Sequence, residues 1–309
     1  MDYEFYEPLE QTAPLTRRLA ETFCRPVDGT PACSWYHGIW PYLRLFGVAA
    51  APERDGPFFL DALGALAATD RYPRVLVSGA ADYSMLAHVV RAYRARPPAQ
   101  RAARALATAP EATVIDRCET PTVLCRWYGE LVGLPVATAT TDVLDYDPGR
   151  TFDVICTHSF LSQFPPPARP SLLARWHALL RPGGKVVTTT RIAPGAPDGP
   201  QVFTPALTES FCDQVRAEAE RRAAVLEETP QELAEAARRY AERIVAHPTR
   251  SLHDVAALFG DAGFVLERLD VRQVAGSLGG SGAGGAGRGG AGQGTNQTAT
   301  YAEIVARRD

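Results

Sequence analysis

Three short stretches of the chain hold side chains suited to a nucleotide-like ligand: Val77-Ser78-Gly79-Ala80-Ala81-Asp82-Tyr83-Ser84, Val114-Ile115-Asp116-Arg117 and Thr141-Asp142-Val143-Leu144. Gly79 allows a tight turn with close backbone approach, and the small Ala80 and Ala81 leave room for a ligand over the loop. Asp82 and Ser84 suit the first turn of a following helix. Asp116 stands where a carboxylate can accept hydrogen bonds from both hydroxyls of a ribose. Asp142 offers an acceptor for an exocyclic adenine amine, with Val143 an apolar neighbour for the ring. Taken singly, each Asp is commoner as a strand-end turn residue. Their occurrence at successive strand ends is what points to a ligand.

Charge distinguishes between ligands. A dinucleotide fingerprint needs glycines at 79, 81 and 84, and only the first is present. A carboxylate at Asp82, beside the helix N-terminus where a pyrophosphate docks, repels that group. S-adenosylmethionine carries a sulfonium and an ammonium and no phosphate, so the pattern favours it over NAD, with Asp82 as the partner expected for the ammonium. Lys185 is the only lysine and precedes Val186, which excludes a Walker P-loop.

The acceptor side of such chemistry needs positioning groups and, where the acceptor loses a proton, a base. His158 is the first candidate base, and His37, inside the aromatic patch Trp35 to Tyr42, is the second. Tyr36, Trp40, Tyr83 and Arg191 are the substrate-pocket candidates. The blander readings are a backbone-bonded histidine at 158 and an aromatic patch that is the core of its own segment. His88, His177, His247 and His253 read as structural or surface residues.

The elements that position these residues are short β-branched runs, each followed by a helical stretch: Arg74 to Ser78, Ala112 to Asp116, Val136 to Thr140, Phe152 to Thr157 and Lys185 to Thr190. Strands alternating with helices at this spacing predict a parallel sheet covered on both faces. Residues 1–70 carry helical periodicity without strand alternation and are expected to form an N-terminal cap on a core spanning 71–309. A charged helical run from Leu207 to Arg243 predicts two amphipathic helices, inserted at about 195–248. Leu252, Val255, Leu258 and Phe259 mark a further helix, and strands are expected at Phe264 to Val271 and Thr298 to Ala306. The glycine-rich stretch 276–294 reads as a flexible loop.

At 309 residues, 46% hydrophobic and 22% charged, the composition is that of a globular enzyme. A net charge of −3 and the lack of a basic run interleaved with aromatics disfavour nucleic acid. The N-terminal residues lack a signal-peptide pattern and no apolar run is long enough to span a bilayer, so the expectation is a cytoplasmic protein without membrane partners. A homodimer is allowed and not specified. Cys24, Cys33, Cys118, Cys125, Cys156 and Cys212 are scattered without a CxxC pair or a Cys/His cluster at ligand spacing. No metal is therefore expected, and the cysteines read as buried free thiols.

On these residues the sequence resembles the class I S-adenosylmethionine-dependent methyltransferase family, over roughly residues 71 to 192 and again over 251 to 307. The most specific stretches are Phe152-Asp153-Val154-Ile155-Cys156-Thr157-His158-Ser159-Phe160-Leu161 and the LRPGG turn Leu180-Arg181-Pro182-Gly183-Gly184 that leads into the fifth strand. The resemblance implies an α/β, Rossmann-like fold with a doubly wound, seven-stranded, mainly parallel sheet. It implies that Gly79 and Ala81 line the methionine part of S-adenosyl-L-methionine, Asp116 the ribose, and Asp142 with Val143 the adenine. The chain departs from the family at Val77, where the acidic residue of the first strand falls, and at Ala81 and Tyr83, where its second and third glycines fall. The activity expected is methyl transfer to an oxygen, nitrogen or carbon atom of a small organic acceptor. The alternatives are a non-catalytic or regulatory relative and an NAD(P)-dependent oxidoreductase.

Overall fold

A computed structural model describes residues 9–26, 31–48, 55–69, 73–94, 110–195, 199–275 and 298–309. The strands are β1 (Arg74–Ser78), β2 (Glu111–Asp116), β3 (Val136–Thr140), β4 (Phe152–His158), β5 (Leu180–Ile192), β6 (Phe264–Ala275) and β7 (Thr298–Arg308). They form one sheet in the order β3-β2-β1-β4-β5-β7-β6, and β7 runs antiparallel to both its neighbours. The other neighbouring strands pair in parallel, so the α/β, doubly wound, mainly parallel sheet is as expected. The predicted loop at 276–294 lies outside the described residues. The LRPGG segment falls at the start of β5: Leu180 pairs with Phe152, the register then shifts so that Val154 meets Lys185, and Gly183 within the shift takes a φ of +73°.

The helices are α1 (Leu9–Phe23), α2 (Ser34–His37), α3 (Trp40–Leu45), α4 (Gly56–Ala68), α5 (Ser84–Arg94), α6 (Glu119–Leu131), α7 (Arg169–Leu179), α8 (Pro205–Arg221), α9 (Pro230–Arg243) and α10 (Leu252–Asp261). Local sequence sets their starts. Thr204 accepts from the Leu207 amide with Pro205 at the first helical position, and Thr229 and Glu232 form a reciprocal capping box ahead of α9. Ser251 caps α10 in the same way.

Burial explains why β1 and β4 read as continuous apolar runs: Val75, Leu76, Val77, Val154, Ile155 and Cys156 have no exposed surface. Alternation sends Val75 and Val77 to one face, against Phe59, Leu63 and Val89, and Leu76 to the other, against Ile155, Trp176 and Phe259. A third core lies outside the sheet layers. There Ile39, Tyr42 and Leu43 pack against Phe211, Val215, Leu233 and Ala237, so the N-terminal helices and the inserted pair α8 and α9 share one apolar interior. Burying each such aliphatic or aromatic side chain contributes about 1.5–3 kcal/mol, enough to fix the two elaborations to each other.

Both elaborations reach the carboxyl ends of the parallel strands. Asp55, at the start of α4, contacts His158 at the end of β4. The Thr249 amide donates to the carbonyl of Arg191, the Ala193 amide donates back to Thr249, and the His247 amide donates to Ser162.

Candidate active site

The turn after β1 is built around Gly79, whose φ of +73° only glycine adopts without strain. Its amide donates to the Ile115 carbonyl at 3.0 Å, tying β1 to β2. A Cβ at this position would come within 2.3 Å of the Phe160 ring, so the turn also needs glycine to admit that ring. Sequence reasoning missed Phe160, although it stands two residues after the candidate base.

Asp116 organises the loops around that turn. One carboxylate oxygen accepts from the Ala80 amide at 3.1 Å, and the other from the Cys118 amide at 2.7 Å. Burial pushes its carboxyl from the ordinary 3.8 up to about 6, against the opposing pull of His37 and of the two amides. Each oxygen keeps a lone pair, which leaves acceptors for a diol. The Thr141 amide donates to the Asp116 carbonyl at 2.8 Å and so brings Asp142 alongside. Asp142 closes a turn onto the Leu144 amide at 2.9 Å and faces Arg117 at 3.4 Å, while Val143 is buried in the core beneath. Gly79, Ala80, Asp116, Asp142 and Val143 therefore converge at the carboxyl edge of β1 to β3.

Several expected ligand contacts are instead structural. Asp82 is 1% exposed, pairs with the buried Arg44 and accepts from the Ser84 amide at 2.8 Å, so both its oxygens are engaged inside the protein. This corrects the role expected for it as partner of an ammonium. Tyr83 stacks on Tyr128 with centroids 4.9 Å apart and reaches Thr12 with its hydroxyl at 3.2 Å; it belongs to the core rather than to a substrate pocket. His37 is not a base facing an acceptor. Its Nδ1 lies 3.1 Å from the Ala81 carbonyl oxygen, and it stands in a group with Cys24, Cys33 and Cys118. Within that group, hydrogen bonds from Cys24 and Cys33 pull the Cys118 thiol far down, and the bond to Cys118 pushes Cys24 up to about 12. Ala81 consequently has its carbonyl committed to His37.

Of the residues expected on the acceptor side, His158 and Arg191 stand at the ends of β4 and β5. His158 Nε2 lies 2.8 Å from Asp55 Oδ2, and Arg272 approaches the other oxygen of Asp55 at 3.5 Å. The imidazole stacks toward Tyr301, centroids 6.4 Å apart. Ser159, next in the chain, has φ +53°, the only positive φ among described non-glycine residues, and strain of this kind gathers at functional sites. Tyr36 stacks on Trp40 at 5.5 Å and on Tyr240 of α9 at 5.8 Å, so the aromatic patch joins the N-terminal helices to α9. Trp40 Nε1, Ser159 Oγ, Arg191 Nε, His247 Nδ1 and both amide atoms of Gln201 are buried with no hydrogen-bond partner among the described residues. Buried polar atoms are normally paired by protein, water or ligand, and an isolated orphan is already unusual. The bridge of Gln201 to Ala246 and the Thr249 amide on Arg191 tie both residues to the segment 246–249. Burial also weakens the hold of Arg191 on its proton. Gln201, Tyr240, Tyr301 and Asp55 were not legible in the sequence.

No protein-family model and no curated protein matches the chain. Among solved structures it is similar to magnesium protoporphyrin IX methyltransferase from Synechocystis PCC 6803 with bound SAH, at 11% identity, 87% of this chain, 92% of that chain and a TM-score of 0.46. It is similar to N-methyltransferase NodS from Bradyrhizobium japonicum WM9 in complex with S-adenosyl-l-homocysteine, at 12% identity, 81% of this chain, 85% of that chain and a TM-score of 0.41. Identity this low is shared by chains of like fold and unlike chemistry, so the activity rests on the site's own residues. In its strand order and its single antiparallel strand, β7, the chain has the fold that the resemblance to class I S-adenosylmethionine-dependent methyltransferases implied.

Proposed function

We propose that the chain transfers a methyl group from S-adenosyl-L-methionine to an oxygen, nitrogen or carbon atom of a small organic acceptor. The observation that carries the reading is Asp116. Its carboxylate, held by the Ala80 and Cys118 amides, stands beside the Gly79 turn at the carboxyl edge of the sheet with acceptor capacity to spare. That is a fit for a ribose diol, and Asp142 beside it suits an adenine amine. Of the three glycines that a dinucleotide-binding turn needs only Gly79 is present, which is the argument against a nicotinamide cofactor.

When bound, the cofactor supplies an electrophilic methyl group on a sulfonium. The residues of the chain would hold and orient the acceptor in line with that carbon, the main requirement of a direct displacement. Tyr36, Trp40 and Tyr240 are engaged with one another in the core shared by the N-terminal helices and the α8–α9 pair. The selectivity therefore falls to the buried polar atoms of Arg191 and Gln201, which suit an acceptor bearing a carboxylate or carbonyl. Asp55 fixes His158 through Nε2, which leaves Nδ1 as the nitrogen able to take a proton from the acceptor.

Calorimetric titration with S-adenosylmethionine, S-adenosylhomocysteine and NAD tests the cofactor. Micromolar binding of a sulfur ligand, abolished in Asp116→Ala, is expected; binding of NAD alone would sink the reading. A non-catalytic relative is the second reading, favoured by Val77 in place of an acidic residue and by the Phe160 ring over Gly79. Sulfur-ligand binding without turnover across a panel of aromatic acids, phenols and amines would favour it.

A further inference from the structure

We propose that Cys24, Cys33, His37 and Cys118 form a closed, tetrahedral zinc site that fastens the N-terminal helices to the core. Their four ligand atoms all lie within 4.8 Å of one another. Ligands around one zinc at about 2.3 Å for sulfur and 2.0–2.1 Å for nitrogen stand roughly 3.5–3.8 Å apart, so little movement closes the shell. Cys24 Sγ and Cys118 Sγ are 3.5 Å apart, already at that spacing and well beyond the roughly 2.05 Å of a disulfide.

The surroundings are those of a metal site. The Ala81 carbonyl can only accept, so Nδ1 of His37 carries the proton and Nε2 keeps the lone pair. A backbone carbonyl holding the far nitrogen is the usual second contact of a ligating histidine. Cys118 occupies the position just before the first turn of α6, where the helix dipole favours a thiolate. The Thr120 hydroxyl lies 3.2 Å from Cys24 Sγ and can donate to it. Cys24, His37 and Cys118 are buried, and three thiols with one imidazole at this separation match a soft divalent ion, not magnesium or calcium. Four protein ligands leave no open position, which makes the site structural rather than catalytic.

Three ligands belong to the N-terminal segment and the fourth to the start of α6, so metal binding becomes docking energy between the two. The site also touches the candidate cofactor residues, since His37 holds Ala81 and the Cys118 amide holds Asp116. The metal proposal does not depend on the methyltransferase reading.

The test uses the full chain produced in zinc-supplemented medium, kept reduced and desalted. Native mass spectrometry and elemental analysis are expected to give about one zinc per chain, with Cys33→Ser and Cys118→Ser falling below about a tenth of that and Cys212→Ala retaining it. A chelator should release the metal and lower the melting temperature of the wild type, and added Zn2+ should restore it. Should the variants fail to fold, cobalt exchange into the wild type answers alone: thiolate-to-cobalt charge-transfer bands and intense visible bands mark a tetrahedral sulfur-rich site. A metal-free wild type that takes up neither Zn2+ nor Co2+, or a Cys24–Cys118 disulfide in such a protein, would overturn the proposal.

Discussion

His158 Nε2 lies 2.8 Å from Asp55 Oδ2, a contact between the carboxyl end of β4 and the residue that opens α4. A carboxylate in this position fixes ring orientation and tautomer, the same logic by which an aspartate orients the histidine of a hydrolase triad. Once an acceptor is identified, His158→Gln should lower kcat roughly 100-fold or more with KM little changed, the range of a lost general base. Asp55→Asn should lower kcat less and distort the pH profile. Equal loss in both variants, with a parallel fall in melting temperature, would assign the pair to stability.

The elevated carboxyl of Asp116 makes cofactor binding pH-dependent. Ribose hydroxyls donate to the ionised form, so binding favours deprotonation of a group that titrates at about 6. S-adenosylhomocysteine affinity should rise as pH passes upward through that value, with proton release visible as a buffer-dependent heat; Asp116→Asn should abolish the dependence. The same shift has a sign for stability in the free protein. The folded value lies above the ordinary 3.8, so the folded chain binds the proton more tightly, and ionisation costs stability as pH rises from about 4 to 6.

Gly79 and Phe160 should be coupled energetically. Gly79→Ala forces a side chain into a left-handed conformation at about 1–2 kcal/mol and drives its Cβ into the ring. In a Phe160→Ala background only the conformational cost remains. A double-mutant cycle by denaturant unfolding should therefore give a less than additive loss, and strict additivity would refute the contact.

Arg44 and Asp82 form a buried ion pair in which neither side chain is more than 1% exposed. Removing one partner strands the other charge, so Arg44→Met and Asp82→Ala are each expected to cost about 3–5 kcal/mol. The double variant should recover much of that loss. If Asp82→Ala left stability intact and weakened cofactor binding instead, the carboxylate would return to the role of ammonium partner.

The wall at Arg191 predicts acceptor selectivity. Arg191→Gln should raise KM for acceptors carrying a carboxylate by about tenfold or more, the loss of a charge-assisted hydrogen bond, and leave neutral acceptors unaffected. A uniform effect on both classes would remove Arg191 from the binding surface.

The chain alone determined what is written in local periodicity. Val75 to Val77 and Val154 to Cys156 read as strands buried on both faces because a parallel sheet needs unbroken apolar runs, and the inserted helices announced themselves through the charged surface and regular apolar spacing of the run from Leu207 to Arg243. Gly79, Asp116 and Asp142 were singled out because each stands at or just past the end of a strand, at the edge where doubly wound sheets bind ligands. The partnerships between distant segments were decided only in three dimensions. Asp82 looked like a ligand residue until Arg44, 38 residues earlier, proved to neutralise it. Cys24, Cys33, His37 and Cys118 show no metal-ligand spacing, because one of the four comes from beyond the first strand and helix of the sheet. Asp55 reaches His158 across 103 residues. Sequence spacing records what a helix or strand does to its own neighbours, whereas contacts closed by packing depend on where whole elements dock. That docking was fixed by the apolar interior shared between the N-terminal helices and the α8–α9 pair.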